Sequence, residues 1–301
     1  MKNNFSIIGG DLRIVYLAKE LAKENTIFIY GFENTKELEN VANVIVCKDL
    51  KSAIDNSNIV ISSVPLTKNG TDIYMPFSNE IVKINELLIL LNGKSFIAGA
   101  IPSNLIEKIQ SRNFGEETLI NTLSKSNDKS NIIDLMNYDE LTVLNTIATA
   151  EGAISDIIQN TNFNLHGSNA LILGFGRVAK IVAKKLKALD CYITCAARKD
   201  VDFAWMETLG YNVTNINQLE NLKVYDIIIN TVPHLIFDKE KLKLVNNNCF
   251  LLDLASKPGG FDQEYIKQNN LNYKWSLAIP GKVAPVTSAK YIKRIIDKVI
   301  V

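Results

Sequence analysis

Asn169–Ala183 reads NALILGFGRVAKIVA. The apolar run Ala170–Leu173 is a buried strand, Gly174-Phe175-Gly176 a tight turn, and a helical pattern follows at once. Gly174 permits the turn and Gly176 lets the backbone approach a pyrophosphate. The helix start then offers N–H groups and a positive dipole end to the phosphates. Ala179 holds the third position of the G-x-G-x-x-A spacing, small enough for close helix–strand packing. A glycine turn alone is weak evidence; lying inside a β-α-β run, this one predicts a dinucleotide site at Gly174, Phe175, Gly176, Arg177 and Val178.

Strands alternate with helices on both sides of that turn, which means α/β architecture with parallel sheets. Downstream, strands are expected over Tyr192–Ala196, Tyr211–Thr214, Asp226–Val232, Phe250–Ala255 and Tyr273–Leu277. Helices are expected over Val201–Leu209 and Ser288–Val299, with a loop at Pro280-Gly281. Upstream, Phe5–Gly10, Thr26–Tyr30, Val44–Cys47, Asn58–Val64, Ser95–Ala100 and Ile132–Met136 read as strands, Asp11–Lys23 and Glu86–Asn92 as helices. The polar stretch Ser124–Asn131 reads as an exposed loop.

The halves echo each other: Ile59–Pro65 (IVISSVP) against Ile227–Pro233 (IIINTVP), and Ile8–Asp11 (IGGD) against Leu173–Gly176 (LGFG). Two Rossmann-like domains are therefore expected. Residues 1–140 with 285–301 form the substrate side and 164–284 the cofactor side. A long helix over 141–163, starting near Asp139, joins them. Its small-residue interior, Asn145–Ile154, suits a hinge and cleft wall, with close packing on the sheet as the alternative.

Bulk properties exclude several classes. The chain has 301 residues, 47% hydrophobic and 22% charged, with a net charge of +1, so no basic field points to nucleic acid. No stretch approaches the roughly 20 apolar residues that span a membrane, and Met1–Asp11 has no signal-peptide h-region. Cys47, Cys191, Cys195 and Cys249 lack metal-binding spacing and read as reduced thiols, which suits the cytoplasm. No zinc-protease, nucleophile-elbow or P-loop motif occurs, and no metal is expected.

In NAD-binding folds an acid about 20 positions past the first glycine holds the ribose hydroxyls. Here Arg198 and Lys199 stand at that strand tip and no acid does, which favours NADP because a guanidinium clamps a 2′-phosphate. Ligands of open α/β sheets bind at the carboxyl ends of strands. That places Thr231, Val232, Pro233, Asp253, Ala255, Ser256, Pro280 and Lys282 by the cofactor, and Ser63, Thr67 and Lys68 on the matching rim of the first domain. The cations Arg13, Lys68, Lys257 and Lys282 on these rims suit an anionic substrate such as a dicarboxylate.

Six stretches, Ile8–Arg13 (IGGDLR), Ser62–Asn69 (SSVPLTKN), Thr149–Ile154 (TAEGAI), Gly174–Ala179, Asp253–Gly260 (DLASKPGG) and Pro280–Thr287 (PGKVAPVT), resemble the family of dipicolinate synthase A subunits of spore-forming bacteria. Two positions depart from its pattern: Ala148, where proline is expected, and Val286, where a basic residue is. The resemblance implies an NADP-dependent oxidoreductase that makes dipicolinate from 4-hydroxy-tetrahydrodipicolinate or its dehydrated form. It also implies a partner, the flavoprotein-like B subunit of the synthase, in the mother-cell cytoplasm during sporulation, with a homodimer as the other assembly considered. On that substrate Arg13, Lys68 and Lys282 would take the carboxylates, Thr67 and Thr149 would give hydroxyl hydrogen bonds, and Glu151 or Lys257 would move protons, Lys257 if buried. The alternatives are a D-2-hydroxyacid-type dehydrogenase, for which His234 is the only candidate histidine, and a non-catalytic NADP-sensing subunit.

Overall fold

The computed structural model describes residues 3–91, 93–111 and 131–300, so the segment 124–130 read as a loop lies outside the described residues. The chain divides into two compact units, residues 1–142 with 284–301, and residues 143–283. Each is a Rossmann-like domain built on a six-stranded sheet.

In the first unit β1 (Asn4–Ile8), β2 (Thr26–Tyr30), β3 (Val44–Val46), β4 (Ile59–Ser62), β5 (Ser95–Ala98) and β6 (Ile132–Asp134) run in the order β3-β2-β1-β4-β5-β6. Every pairing is parallel. The helices are α1 (Leu12–Leu21), α2 (Leu50–Asp55), α3 (Ile84–Leu90) and α4 (Ser103–Ser111). Successive side chains of a strand point to opposite faces. Thus Ile7, Ile29, Ile61 and Ile97 share one core, and Ile8, Val60, Phe96 and Ala98 the other.

A long helix, α5 (Asp139–Asn160), carries the chain into the second unit. There β7 (Asn169–Leu173), β8 (Tyr192–Ala197), β9 (Asn212–Asn215), β10 (Ile227–Asn230), β11 (Phe250–Asp253) and β12 (Tyr273–Trp275) lie in the order β12-β11-β10-β7-β8-β9, again all parallel. The helices are α6 (Arg177–Lys187), α7 (Asp200–Thr208), α8 (Lys239–Leu242), α9 (Gln263–Gln268) and α10 (Ile279–Val283). Ala150, Ala153 and Ile157 of α5 are buried in a core with Ile172, Ile193 and Ile229. The small residues there serve close packing.

Two local expectations are corrected. Pro280-Gly281 is not a loop but the middle of α10, which docks on α5. A Cβ on Gly152 would come within 2.2 Å of Ile279 Cγ2, so only glycine admits this approach. The last helix, α11 (Pro285–Val299), starts earlier than Ser288 because Pro285 is its first residue, where a missing N–H costs nothing. Its Ala289, Ile292, Ile295 and Ile296 share a core with Ile14, Leu17, Ala18 and Leu21 of α1.

All four cysteines are free; Cys191, Cys195 and Cys249 are buried. Burial pushes the thiols of Cys195 and Cys249 up to about 12, so they are inert packing groups. Among the described residues no helix is long and apolar enough to cross a membrane, and no cluster of metal-ligating side chains occurs.

The seating of α11 on α1 gives a direct test. Ile296 is fully buried. Ile296→Ala is expected to destabilise the protein by about 2–5 kcal/mol in urea denaturation followed by circular dichroism.

Candidate functional site

The glycine turn of the second unit joins β7 to α6. Gly174 has φ +92°, and a Cβ there would lie 2.7 Å from Thr231 Oγ1 and 2.9 Å from Val232 Cγ2. The crowding is built by hydrogen bonds. Gly174 N donates to Ala196 O at 2.8 Å, and Thr231 Oγ1 donates to Leu173 O at 2.7 Å. Strand register sets Leu173 beside Ala196, Asn230 beside Leu173, and Asp253 beside Asn230. The residues just after these strand ends therefore line one rim, at the point where strand order reverses between β7 and β10.

Gly176 is the N-cap of α6. No side chain caps that end, and a Cβ on Gly176 would meet nothing within 4 Å. Phe175 turns inward against Tyr211, with ring centroids 6.4 Å apart, and Val178 is half-buried. Arg177, Arg198 and Lys199 are exposed. Arg198 and Lys199 follow the end of β8 with no ion-pair partner among the described residues. An open helix N-terminus, a constricted glycine turn and two cations past the next strand fit the pyrophosphate and ribose of a dinucleotide.

The first unit has the same turn in a closed state. At the start of α1 the Asp11 carboxylate accepts from Arg13 N at 3.0 Å, capping the helix with the chain's own anion. Arg13 neutralises it, with Nη2 2.8 Å from Asp11 Oδ2, and also donates to Val64 O at the end of β4. Tyr74 and Met75 cover the turn. Gly10 N donates to Tyr74 O at 3.0 Å, and the Cβ positions of Gly9 and Gly31 would lie 2.3 Å from Met75 Cγ and 2.8 Å from Met75 Cε.

Arg13 is buried and already bound to Asp11 and to Val64 O, where the sequence leads one to expect a free cation for a carboxylate. Ser63 is also buried, its hydroxyl donating to Leu66 O at 2.9 Å. Thr67 shapes a turn, accepting from Gly70 N at 2.9 Å and donating to Asn69 Oδ1 at 3.2 Å. Lys68 is exposed and lies over the Tyr74 ring, 3.6 Å from its centroid.

In the second unit Glu151 is exposed and pairs with Lys185 at 2.9 Å. Lys185 lies about two turns along α6 from the open end. Thr149 donates its hydroxyl to Asn145 O within α5. Lys257 is exposed, so the burial that would make it a base is absent. Pro233, His234, Ser256 and Lys282 are exposed too, while Thr231, Val232 and Pro280 are half-buried and Ala255 is buried.

Asp253 faces inward and is fully buried. It accepts from Asn230 Nδ2 at 2.8 Å, Ala255 N at 3.0 Å and Gly260 N at 2.7 Å, so direct contact with a cofactor is not its role. Burial raises its pKa above the usual carboxylate range against the pull of these donors. Asn230, its partner, went unnoticed in the sequence. The available signal was a buried strand, IIIN, ending on a polar residue beside a second strand ending on Asp.

Comparison with known proteins bears on both units. Residues 4–138 match the family model of the N-terminal domain of the dipicolinate synthase A subunit. Residues 146–257 match that of the NAD-binding domain of D-isomer-specific 2-hydroxyacid dehydrogenases. The dipicolinate synthase A subunit of Bacillus subtilis (strain 168) is 26% identical over 298 residues, covering 98% of this chain and 95% of that protein. The crystal structure of the dipicolinate synthase A subunit from Bacillus halodurans superposes with a TM-score of 0.82 at 26% identity, over 98% of this chain and 97% of that one. That of the dipicolinate synthase A chain from Bacillus subtilis gives 0.80 at 25%, over 100% and 96%. The second unit is thus similar to the NAD-binding domain of those dehydrogenases, which indicates a nicotinamide cofactor.

Gly176→Asp recreates in the second unit the self-capped end of the first. The position is open and its φ of −77° is ordinary, so the variant should fold. It is expected to weaken the binding of a nicotinamide dinucleotide at least about tenfold in fluorescence titration, since the new carboxylate would compete with a phosphate for the helix N–H groups, with no loss of Tm.

Proposed function

We propose, for a chain similar along its whole length to the A subunit of dipicolinate synthase, that it is an NADP-dependent oxidoreductase forming dipicolinate from 4-hydroxy-tetrahydrodipicolinate or its dehydrated form. The contrast between the two helix N-termini carries this reading: α1 is closed by Asp11 and α6 is open. Residues 164–284 then hold the dinucleotide, one per chain, and residues 1–140 with 285–301 form the substrate side.

The bound nicotinamide supplies the hydride acceptor. Around it the chain binds and orients. The N-terminus of α6 takes the pyrophosphate, with Gly174 keeping the backbone close. Arg198, aided by Lys199, clamps the 2′-phosphate through its planar fork. Thr231, Val232 and Pro233 line one side of the rim, and Ala255 and Ser256 the other. Lys257 and Lys282 are exposed and form no ion pair among the described residues, which suits them to an anionic substrate.

The substrate loses water from its 4-hydroxyl position, then a hydride and a proton, and ends as a pyridine ring. Aromatisation drives the reaction, so the protein's part is orientation and charge placement. The whole-length similarity to a protein named as one subunit of a synthase supports a second, the flavoprotein-like B subunit, as partner in the mother cell during sporulation.

The match of residues 146–257 to 2-hydroxyacid dehydrogenases favours a second reading, oxidation of a 2-hydroxy acid, with the exposed His234 as its only rim histidine.

With the hydroxy-tetrahydrodipicolinate precursor and NADP+, the near-ultraviolet absorbance of reduced nicotinamide should rise in step with dipicolinate. Turnover of 2-hydroxy acids instead would establish the second reading. Cofactor binding without turnover, even with the B subunit present, would make the chain a sensor. Arg198→Asp should cost about tenfold or more in NADPH affinity while NADH binding is kept; an unchanged ratio would remove Arg198 from the 2′-phosphate.

A further inference from the structure

Two loops bound the rim of the second unit, residues 231–237 after β10 and 254–260 after β11. Both are held from beneath by buried polar groups. Asn230 and Asp253 end neighbouring strands in register, and both are fully buried. Asn230 Oδ1 accepts from Val232 N at 3.0 Å, and Nδ2 donates to Val232 O and Asp253 Oδ1 at 2.9 and 2.8 Å. The other Asp253 oxygen takes Gly260 N at 2.7 Å. Gly260 O in turn accepts from Ile236 N and Phe237 N, both at 2.9 Å. The amide, the carboxylate and the backbone of Gly260 thus form a network that joins the loops.

Steric fit adds a separate observation. A Cβ on Gly260 would lie 2.3 Å from Asn230 Nδ2, and one on Gly259 would lie 2.7 Å from Asp253 Oδ2. The glycine pair lets the loop backbone lie directly on the two side chains. None of these groups is exposed on the rim, and a buried donor or acceptor left without its partner is costly. Breaking the pair would therefore free both loops from the same anchor.

We propose that Asn230 and Asp253, with Gly260 seated on them, are positioning residues that act as one unit to set the spacing of the two cofactor-rim loops. Their effect on the nicotinamide nucleotide is indirect, through Thr231–Pro233 on one side and Ala255–Ser256 on the other. This rests on the cofactor reading above.

The experiment is fluorescence titration of the full chain with NADPH, with Tm measured in parallel. Asn230→Asp sets two carboxylates against each other, and Asp253→Asn turns an amide donor on a loop N–H. Each should raise the Kd about tenfold, the scale of one lost buried hydrogen bond. The exchange variant, N230D with D253N, still leaves Val232 O and one loop N–H without partners, so its Kd should rise no further than that of the weaker-binding single variant, both changes breaking one network. Gly260→Ala should weaken binding like the single variants, because its methyl group displaces Asn230. Single variants with wild-type Kd would overturn the proposal, as would an exchange variant whose loss in affinity is the full product of the two single losses. If the single variants fail to fold, Asn230→Ser, a smaller side chain whose hydroxyl can keep one bond to Asp253, decides: it should raise the Kd, and a wild-type Kd would overturn the proposal. If the wild-type chain binds no nicotinamide nucleotide, the cofactor reading fails instead, and the two failures are distinct.

Discussion

The first N–H groups of a helix have no partner within it, and something must satisfy them. In a parallel α/β sheet the first helix begins just past a strand end, where ligands collect. The two units of this chain meet that constraint in opposite ways. The first spends its own carboxylate, Asp11, and balances it with the buried Arg13. The second leaves the start of α6 to Gly176, with no side chain in the way. One fold thereby carries a closed helix end in one unit and an open one in the other, and the difference comes down to a few residues after the strand.

The closed end also explains the cations. A guanidinium with Asp11 on one side and a carbonyl on the other is already neutralised, and breaking a buried pair is costly. Arg13 consequently ties the start of α1 to the loop after β4. Met75 finishes the closure by filling the space above Gly9 and Gly31. In the second unit the corresponding space is constricted only by Thr231 and Val232, which lie beside the turn without covering it. Polar side chains there have moved beneath the loops, as the Asn230–Asp253 contact shows.

Much of the fold was legible because parallel strands buried on both faces read as apolar runs. IIIN, FLLD and NALIL leave little choice. Helix boundaries were less legible where packing decides them. α10 forms across Pro280-Gly281 because Gly152 on α5 leaves room for it, a contact across more than a hundred residues. The short helices α2, α8 and α9 were unread for a related reason: a few residues carry too little periodicity, and their Asp N-caps, Asp49, Asp238 and Asp262, were the only local signal. The candidate site divides the same way. Gly174, Gly176 and Arg198 were legible because backbone geometry and charge at a strand tip are local properties. Whether Arg13, Ser63, Thr67, Thr149 or Glu151 is free for a ligand depends on partners that only folding supplies.

The sequence by itself determined the two parallel sheets, the glycine turn and the similarity to one enzyme family, since periodicity, φ requirements and motif spacing are written along the chain. The tertiary structure alone decided which glycine turn is open, which cations are engaged, and that a buried amide and carboxylate hold the rim. Each of those depends on atoms far apart in sequence meeting at hydrogen-bond distance, where a partner gained or lost by one side chain changes what it can do for a ligand.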